Sequence, residues 1–202
     1  MDRRMTPEQE EWISTMVRGG YLTADQIVRA LMEDEVDRED LEIDESQLAE
    51  LVDAKMRERR RELQLAGASA YDRLSDVFDL LEDSGIFARE NYWCCQSCAY
   101  AAIDEEIAEA LEAGEEVRGY VYFHSQDTDR AVESGELLLR FGGLSGEPLR
   151  LEREATQQIG EEVTTALEDA GFEVRWSGSP GEAITMTIAW DKPPPAAARD
   201  LH

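Results

Sequence analysis

The chain has 202 residues, 42% of them hydrophobic, enough for one full-sized domain with a smaller element and too many for a chain without a core. Its 46 acidic and 20 basic residues give a formal net charge of −26, which argues against a nucleic-acid partner, because phosphate-backbone binding needs a positive surface. No run approaches the roughly 18 consecutive apolar residues of a membrane span, and the opening MDRRMTPEQEEW lacks the apolar stretch of a secretory signal, so a cytoplasmic protein with no membrane partner is expected.

Helices dominate the first third. Thr6-Pro7-Glu8-Gln9 is a capping box with proline at the first helical position, followed by Trp12, Ile13, Met16 and Val17 on one face and stopped by Gly19-Gly20. Thr23-Ala24-Asp25-Gln26 repeats the device ahead of Ile27, Val28, Leu31 and Met32, and the acidic segment Glu33–Asp44 reads as a connector. A third helix over about 45–66 aligns Leu48, Leu51 and Val52 and then becomes basic at KMRERRR. Two short helices and a longer one suggest a helix-turn-helix, but Glu58 interrupts the basic run, and an arginine-covered helix paired with neighbouring acids is the better reading.

The second part mixes helices and strands. Ser69-Ala70-Tyr71-Asp72 opens a helix carrying Leu74, Val77, Phe78 and Leu81, with Gly85 as its stop. NYWCCQSC leads into a helix over about 98–112, with Ile103, Ile107 and Leu111 spaced by four. From Arg118 the period becomes two: Tyr120, Tyr122 and His124 alternate with Val121 and Phe123 in a strand. A helical turn or short helix over Thr128–Glu133 precedes a strand with Leu137, Leu139 and Phe141 that ends at Gly142-Gly143. A long helix over about 152–170 follows, and Phe172, Val174 and Trp176 pair with Ile184, Met186, Ile188 and Trp190 as a hairpin across SGSPGE. The expected fold class is therefore α+β, a helical N-terminal segment over 1–66 and a small mixed or antiparallel sheet of about four strands over 67–191, covered by helices on one face, with a disordered tail over 192–202.

Cys94, Cys95, Cys98 and His124, with Gln126 and Asp127, are the residues assembled for chemistry. Three cysteines within five positions cannot make a disulfide framework, so reduced thiols are expected. Thiolate and imidazole suit zinc, with Cys95 and Cys98 three apart at a helix start, Cys94 or His124 as a further ligand and Asp127 as a fourth; no second CxxC or paired histidine motif completes the signature. A CxxC at a helix N-terminus also suits thiol redox chemistry, since the helix dipole stabilises a thiolate. A third reading is a thiol hydrolase in which Cys95 or Cys98 attacks, His124 takes the proton and Asp127 or Gln126 orients the ring. Against all three stands a structural reading, in which the cysteines are buried as small hydrophobes, His124 is a satisfied core histidine and Asp127 caps the turn at Thr128. Trp93, Tyr120, Tyr122, Phe123, Trp176 and Trp190 are read as core rather than as a ligand box.

The stretch from Phe78 to about Ile188, with CCQSC, YFHSQDT, GELLLRFGG and GFEVRWSGSP, resembles a bacterial family of domains of unknown function marked by CCxxC and an aromatic-His-x-Gln-Asp motif. Cys94, Cys95, Cys98, His124, Gln126 and Asp127 match those marks, as does the turn Trp176-Ser177-Gly178. The resemblance implies that these positions form one unit and assigns it no chemistry. The expected function is a non-catalytic binding or interaction protein, with a protein as its partner class and a structural Cys/His cluster. The alternatives are a zinc-binding domain with Cys94, Cys95, Cys98 and His124 as ligands, or a thiol-dependent hydrolase or oxidoreductase using Cys95 or Cys98 with His124.

Overall fold

The computed structural model describes residues 5–33, 43–67, 69–145 and 150–196; most of the acidic connector and the end of the tail, residues 34–42 and 197–202, lie outside them. The chain divides into two compact units, one formed by residues 1–69 with 190–202 and the other by residues 70–189.

The first unit contains α1 (Pro7–Gly19), α2 (Ala24–Glu33) and α3 (Glu45–Gln64). Thr6 and Gln9 exchange their capping hydrogen bonds, Thr23 and Gln26 do the same, and Asp44 with Gln47 forms a third such pair. Each helix then turns one apolar stripe inward, so that Ile13, Val17, Ile27, Leu31, Leu48 and Val52 form a shared core. The arginine run of α3 binds this unit's own C-terminal segment: Arg59 donates to the carbonyl of Trp190 at 3.0 Å and Arg60 to that of Pro195 at 2.7 Å. The hairpin pairing expected for Trp190 is corrected here, because β6 stops at Thr187 and the buried indole of Trp190 donates instead to Gly19 O at 3.1 Å.

In the second unit the elements run α4 (Ala70–Asp83), β1 (Ile86–Arg89), α5 (Gln96–Glu112), β2 (Gly119–Tyr122), α6 (Ser125–Ser134), β3 (Glu136–Ser145), β4 (Arg150–Leu151), α7 (Arg153–Asp169), β5 (Glu173–Arg175) and β6 (Ile184–Thr187). The sheet is mixed and ordered β1-β2-β3-β6-β5, with β4 added to the far end of β3. β1 and β2 are parallel and joined by α5, whereas every other pairing is antiparallel. The expected hairpin is present, with Val174 opposite Met186.

Helices cover both faces of the sheet rather than one. Phe87, Tyr120 and Tyr122 pack with Ala99, Ile103 and Ile107 of α5. The alternate residues face the other way, where the Phe123 ring meets Phe78 of α4 edge-on at 5.6 Å and Gly119 lies under Ile159 of α7. β2 is consequently buried along its whole length, the pattern of a strand in a parallel βαβ unit. β3 also runs on through Gly142-Gly143 instead of ending there, because Gly143 pairs with Gly119 and its missing side chain makes room for the first turn of α7.

Candidate thiolate site

Parallel pairing of β1 and β2 brings the loop after β1 and the loop after β2 to the same edge, the carboxyl ends of the two strands. Open α/β sheets place their ligands at such an edge, and the N-termini of α5 and α6 both lie there. Residues 89–94 continue the strand pairing: Phe123 N donates to Arg89 O at 3.3 Å, Tyr92 N to Phe123 O at 2.7 Å and Ser125 N to Trp93 O at 3.0 Å. Ser125 Oγ donates to Cys94 O at 3.0 Å, and Thr128 Oγ1 to Asn91 Oδ1 at 2.8 Å, so the first turn of α6 holds the cysteine loop from one side. On the other side the Tyr92 hydroxyl donates to Glu106 of α5 at 2.8 Å.

Two residues of this loop, Asn91 (φ 47°) and Trp93 (φ 58°), adopt the left-handed region, and they are its non-glycine occupants among the described residues. For tryptophan that conformation costs free energy, about 1–3 kcal/mol for a residue held in a sparsely populated region, and it persists where the surroundings impose it. Trp93 is 53% exposed, which corrects its assignment to the core; Tyr120, Tyr122, Phe123 and Trp190 are buried as expected.

α5 begins at Gln96, two residues earlier than the apolar spacing indicated, which makes Cys95 its N-cap and puts Cys98 in its first turn. The sulfurs of Cys94, Cys95 and Cys98 all lie within 4.8 Å of one another, and those of Cys94 and Cys95 are 3.8 Å apart. All three are free thiols, Cys94 exposed and the other two half-buried, so they are not the buried small hydrophobes of the structural reading. The Cys98 amide at the open helix end, then the thiols of Cys98 and Cys94, favour the Cys95 thiolate and lower its pKa from the ordinary thiol value. The neighbouring sulfurs of Cys94 and Cys95 push the Cys98 thiol up to about 11.

His124 and Asp127 come together with each other rather than with the sulfurs. His124 is the N-cap of α6 and Asp127 its third residue; both are buried, and an Asp127 oxygen accepts the His124 backbone N–H at 3.1 Å. The same oxygen is 3.0 Å from His124 Nδ1, which has no hydrogen-bond partner, so the two are adjacent without hydrogen-bond geometry. It also accepts from Arg140 Nη1, an ion pair with the carboxylate 3% exposed. Gln126 is exposed on the first turn of α6. Arg140 went unread in the sequence: it sits thirteen residues beyond Asp127 on β3, and no local spacing links them.

Burial, reinforced by the Arg140 charge and opposed by Asp127, lowers the His124 pKa. A histidine whose folded pKa is depressed leaves the unfolded chain binding more protons, so its contribution to stability is complete above about pH 6.5 and is lost as pH falls toward the lowered value. Urea unfolding midpoints should therefore fall as pH is lowered below about 6.5, and His124→Gln should flatten that slope. An unchanged slope in the variant would mean that the imidazole is not held neutral.

No curated protein and no solved structure matches this chain. Residues 2–193 match the family described as Domain of unknown function (DUF6891), a span that includes the N-terminal helices as well as the sheet, and the chain belongs to that family.

Proposed function

We propose that this is a non-catalytic metal-binding protein in which Cys94, Cys95 and Cys98 are thiolate ligands to a zinc ion. The observation that carries the reading is the convergence of three sulfurs within 4.8 Å of one another. The 3.8 Å between Cys94 and Cys95 sulfurs supports it further: a tetrahedral ion with sulfurs at about 2.3 Å has an edge of about 3.8 Å. Soft thiolates favour zinc and copper(I) over the hard cations that an acidic surface would otherwise attract. The fourth position falls to solvent, since the His124 ring lies against Asp127 and Asp127 is paired with Arg140. His124 and Asp127 act as positioning residues, fixing the α6 turn whose Ser125 holds the cysteine loop. Reduced thiols fit a cytoplasmic protein, and the charge of −26 fits a protein partner better than a polyanion.

Protein purified under reducing conditions should carry close to one zinc per chain. At a free zinc concentration about a hundredfold above Kd, binding adds about 2.7 kcal/mol, a rise in melting temperature of about 5–10 °C for a chain of this size. Cys95→Ser should abolish both. Metal-free protein whose melting is indifferent to zinc and to chelator would overturn the reading.

The opposed shifts of Cys95 and Cys98 favour a second reading, thiol–disulfide exchange. The Cys95 thiolate would attack a substrate disulfide and release one substrate thiol; Cys98 would then displace the second, leaving a Cys95–Cys98 disulfide. Under this reading Cys95 alkylates first, with an apparent pKa below the ordinary value of about 8.5. Equal alkylation rates at the three cysteines would remove it.

A further inference from the structure

We propose that the same three sulfurs capture a trivalent thiophilic oxyacid, arsenous or antimonous acid, as a neutral three-thiolate adduct. The inference rests on the reading above only in treating Cys94, Cys95 and Cys98 as one ligand set.

The reason lies in what surrounds the sulfurs. Among the described residues, the group of mutually close ligand atoms contains three sulfurs and no imidazole or carboxylate. A divalent ion held by three thiolates keeps one negative charge and one open corner. A trivalent arsenic or antimony centre reaches zero charge with three thiolates, and its lone pair fills the fourth corner. Charge neutrality matters in this chain, whose formal net charge is −26. The arginines built into this end of the sheet are already paired, Arg89 with Glu82 and Glu106 and Arg140 with Asp127, so they are engaged elsewhere than at an anionic complex. The three-thiolate adduct needs neither a fourth ligand nor a counter-cation.

The chemistry balances without an oxidant or reductant. Each hydroxyl of the oxyacid leaves with one thiol proton as water, so three element–oxygen bonds break, three element–sulfur bonds form and three waters are released. The oxidation state of the element does not change. Exposure of Cys94 and partial exposure of Cys95 and Cys98 let a small uncharged acid reach the sulfurs without opening the fold.

The test is titration of the full, reduced chain with arsenite, read by intact mass under native conditions and by alkylation of residual thiols, with a parallel zinc titration. One arsenic bound with loss of three protons, and all three cysteines protected from alkylation, is the expected result. Each of Cys94→Ser, Cys95→Ser and Cys98→Ser should weaken capture by about tenfold or more, since even outer-shell changes at metal sites cost about 10–100-fold. Protection of only two cysteines, with the third alkylating at its free rate, would overturn the proposal. Zinc binding without arsenite binding would overturn it while leaving the zinc reading standing, and arsenite binding without zinc binding would do the reverse. Binding of neither would remove both.

Discussion

Replacing Asp127 by alanine is expected to cost about 3–5 kcal/mol of stability, the cost of breaking a buried ion pair from one side. Asp127 is 2% exposed and one of its oxygens receives both the Arg140 guanidinium and the His124 backbone N–H. Without the carboxylate, Arg140 keeps a charge that is largely out of water, and the first turn of α6 loses an acceptor for its N-cap amide. Asp127→Asn retains an acceptor and removes the charge, so it should fall between alanine and wild type. Denaturant midpoints with unchanged slope are the readout. A loss below about 1 kcal/mol would show the pair to behave as a solvent-screened surface bridge. Because Ser125 of the same turn holds Cys94 O and Trp93 O, Asp127→Ala should also weaken metal binding without touching a sulfur.

Gly143→Ala is expected to be at least as severe, by a different mechanism. A methyl group there would stand 2.1 Å from Ala155 C and 2.3 Å from both Ala155 O and Thr156 N. These are backbone atoms of the first turn of α7 and cannot rotate aside. That turn is also hydrogen-bonded to the glycine: Glu152 N donates to Gly143 O at 3.1 Å and Gly143 N to Thr156 Oγ1 at 3.0 Å. Overpacking ordinarily costs about 1–3 kcal/mol; here α7 must leave β3, so a loss above about 4 kcal/mol is expected, seen as loss of the cooperative unfolding transition. Gly114→Ala is the control. It has φ 88° and nothing within 4 Å, so only the left-handed backbone is penalised, at about 1–2 kcal/mol. Equal effects at the two glycines would mean that α7 yields.

Features of the fold written in a few adjacent residues were legible in the sequence. Capping boxes at Thr6 and Thr23 need only three-residue spacing, and the stripes of α1 to α4 need only a helical period. The three cysteines converge because they are neighbours at a helix start, so their meeting required no knowledge of the sheet. β1 was not legible: Ile86–Arg89 is four residues long and buried rather than alternating, so it gives neither period. Without β1 the βαβ unit is invisible, and with it the reason helices cover both faces. The helix at Thr128–Glu133 was legible but its start three residues earlier was not, because α6 opens at Ser125 behind His124, an N-cap outside the usual capping residues. Arg140 and the outward turn of Trp93 were beyond reach for a related reason. One pairs a strand residue with a carboxylate on α6, and the other sits in a loop with two left-handed residues, Asn91 and Trp93, that no local spacing signals.

X-ray absorption at the zinc K-edge on zinc-loaded protein tests the thiolate site most directly, because it counts ligand atoms by type and distance. The expected shell is three sulfurs at about 2.3 Å with one lighter oxygen or nitrogen neighbour. A first shell of oxygen and nitrogen alone would place the ion among the acidic side chains and contradict a site made by Cys94, Cys95 and Cys98.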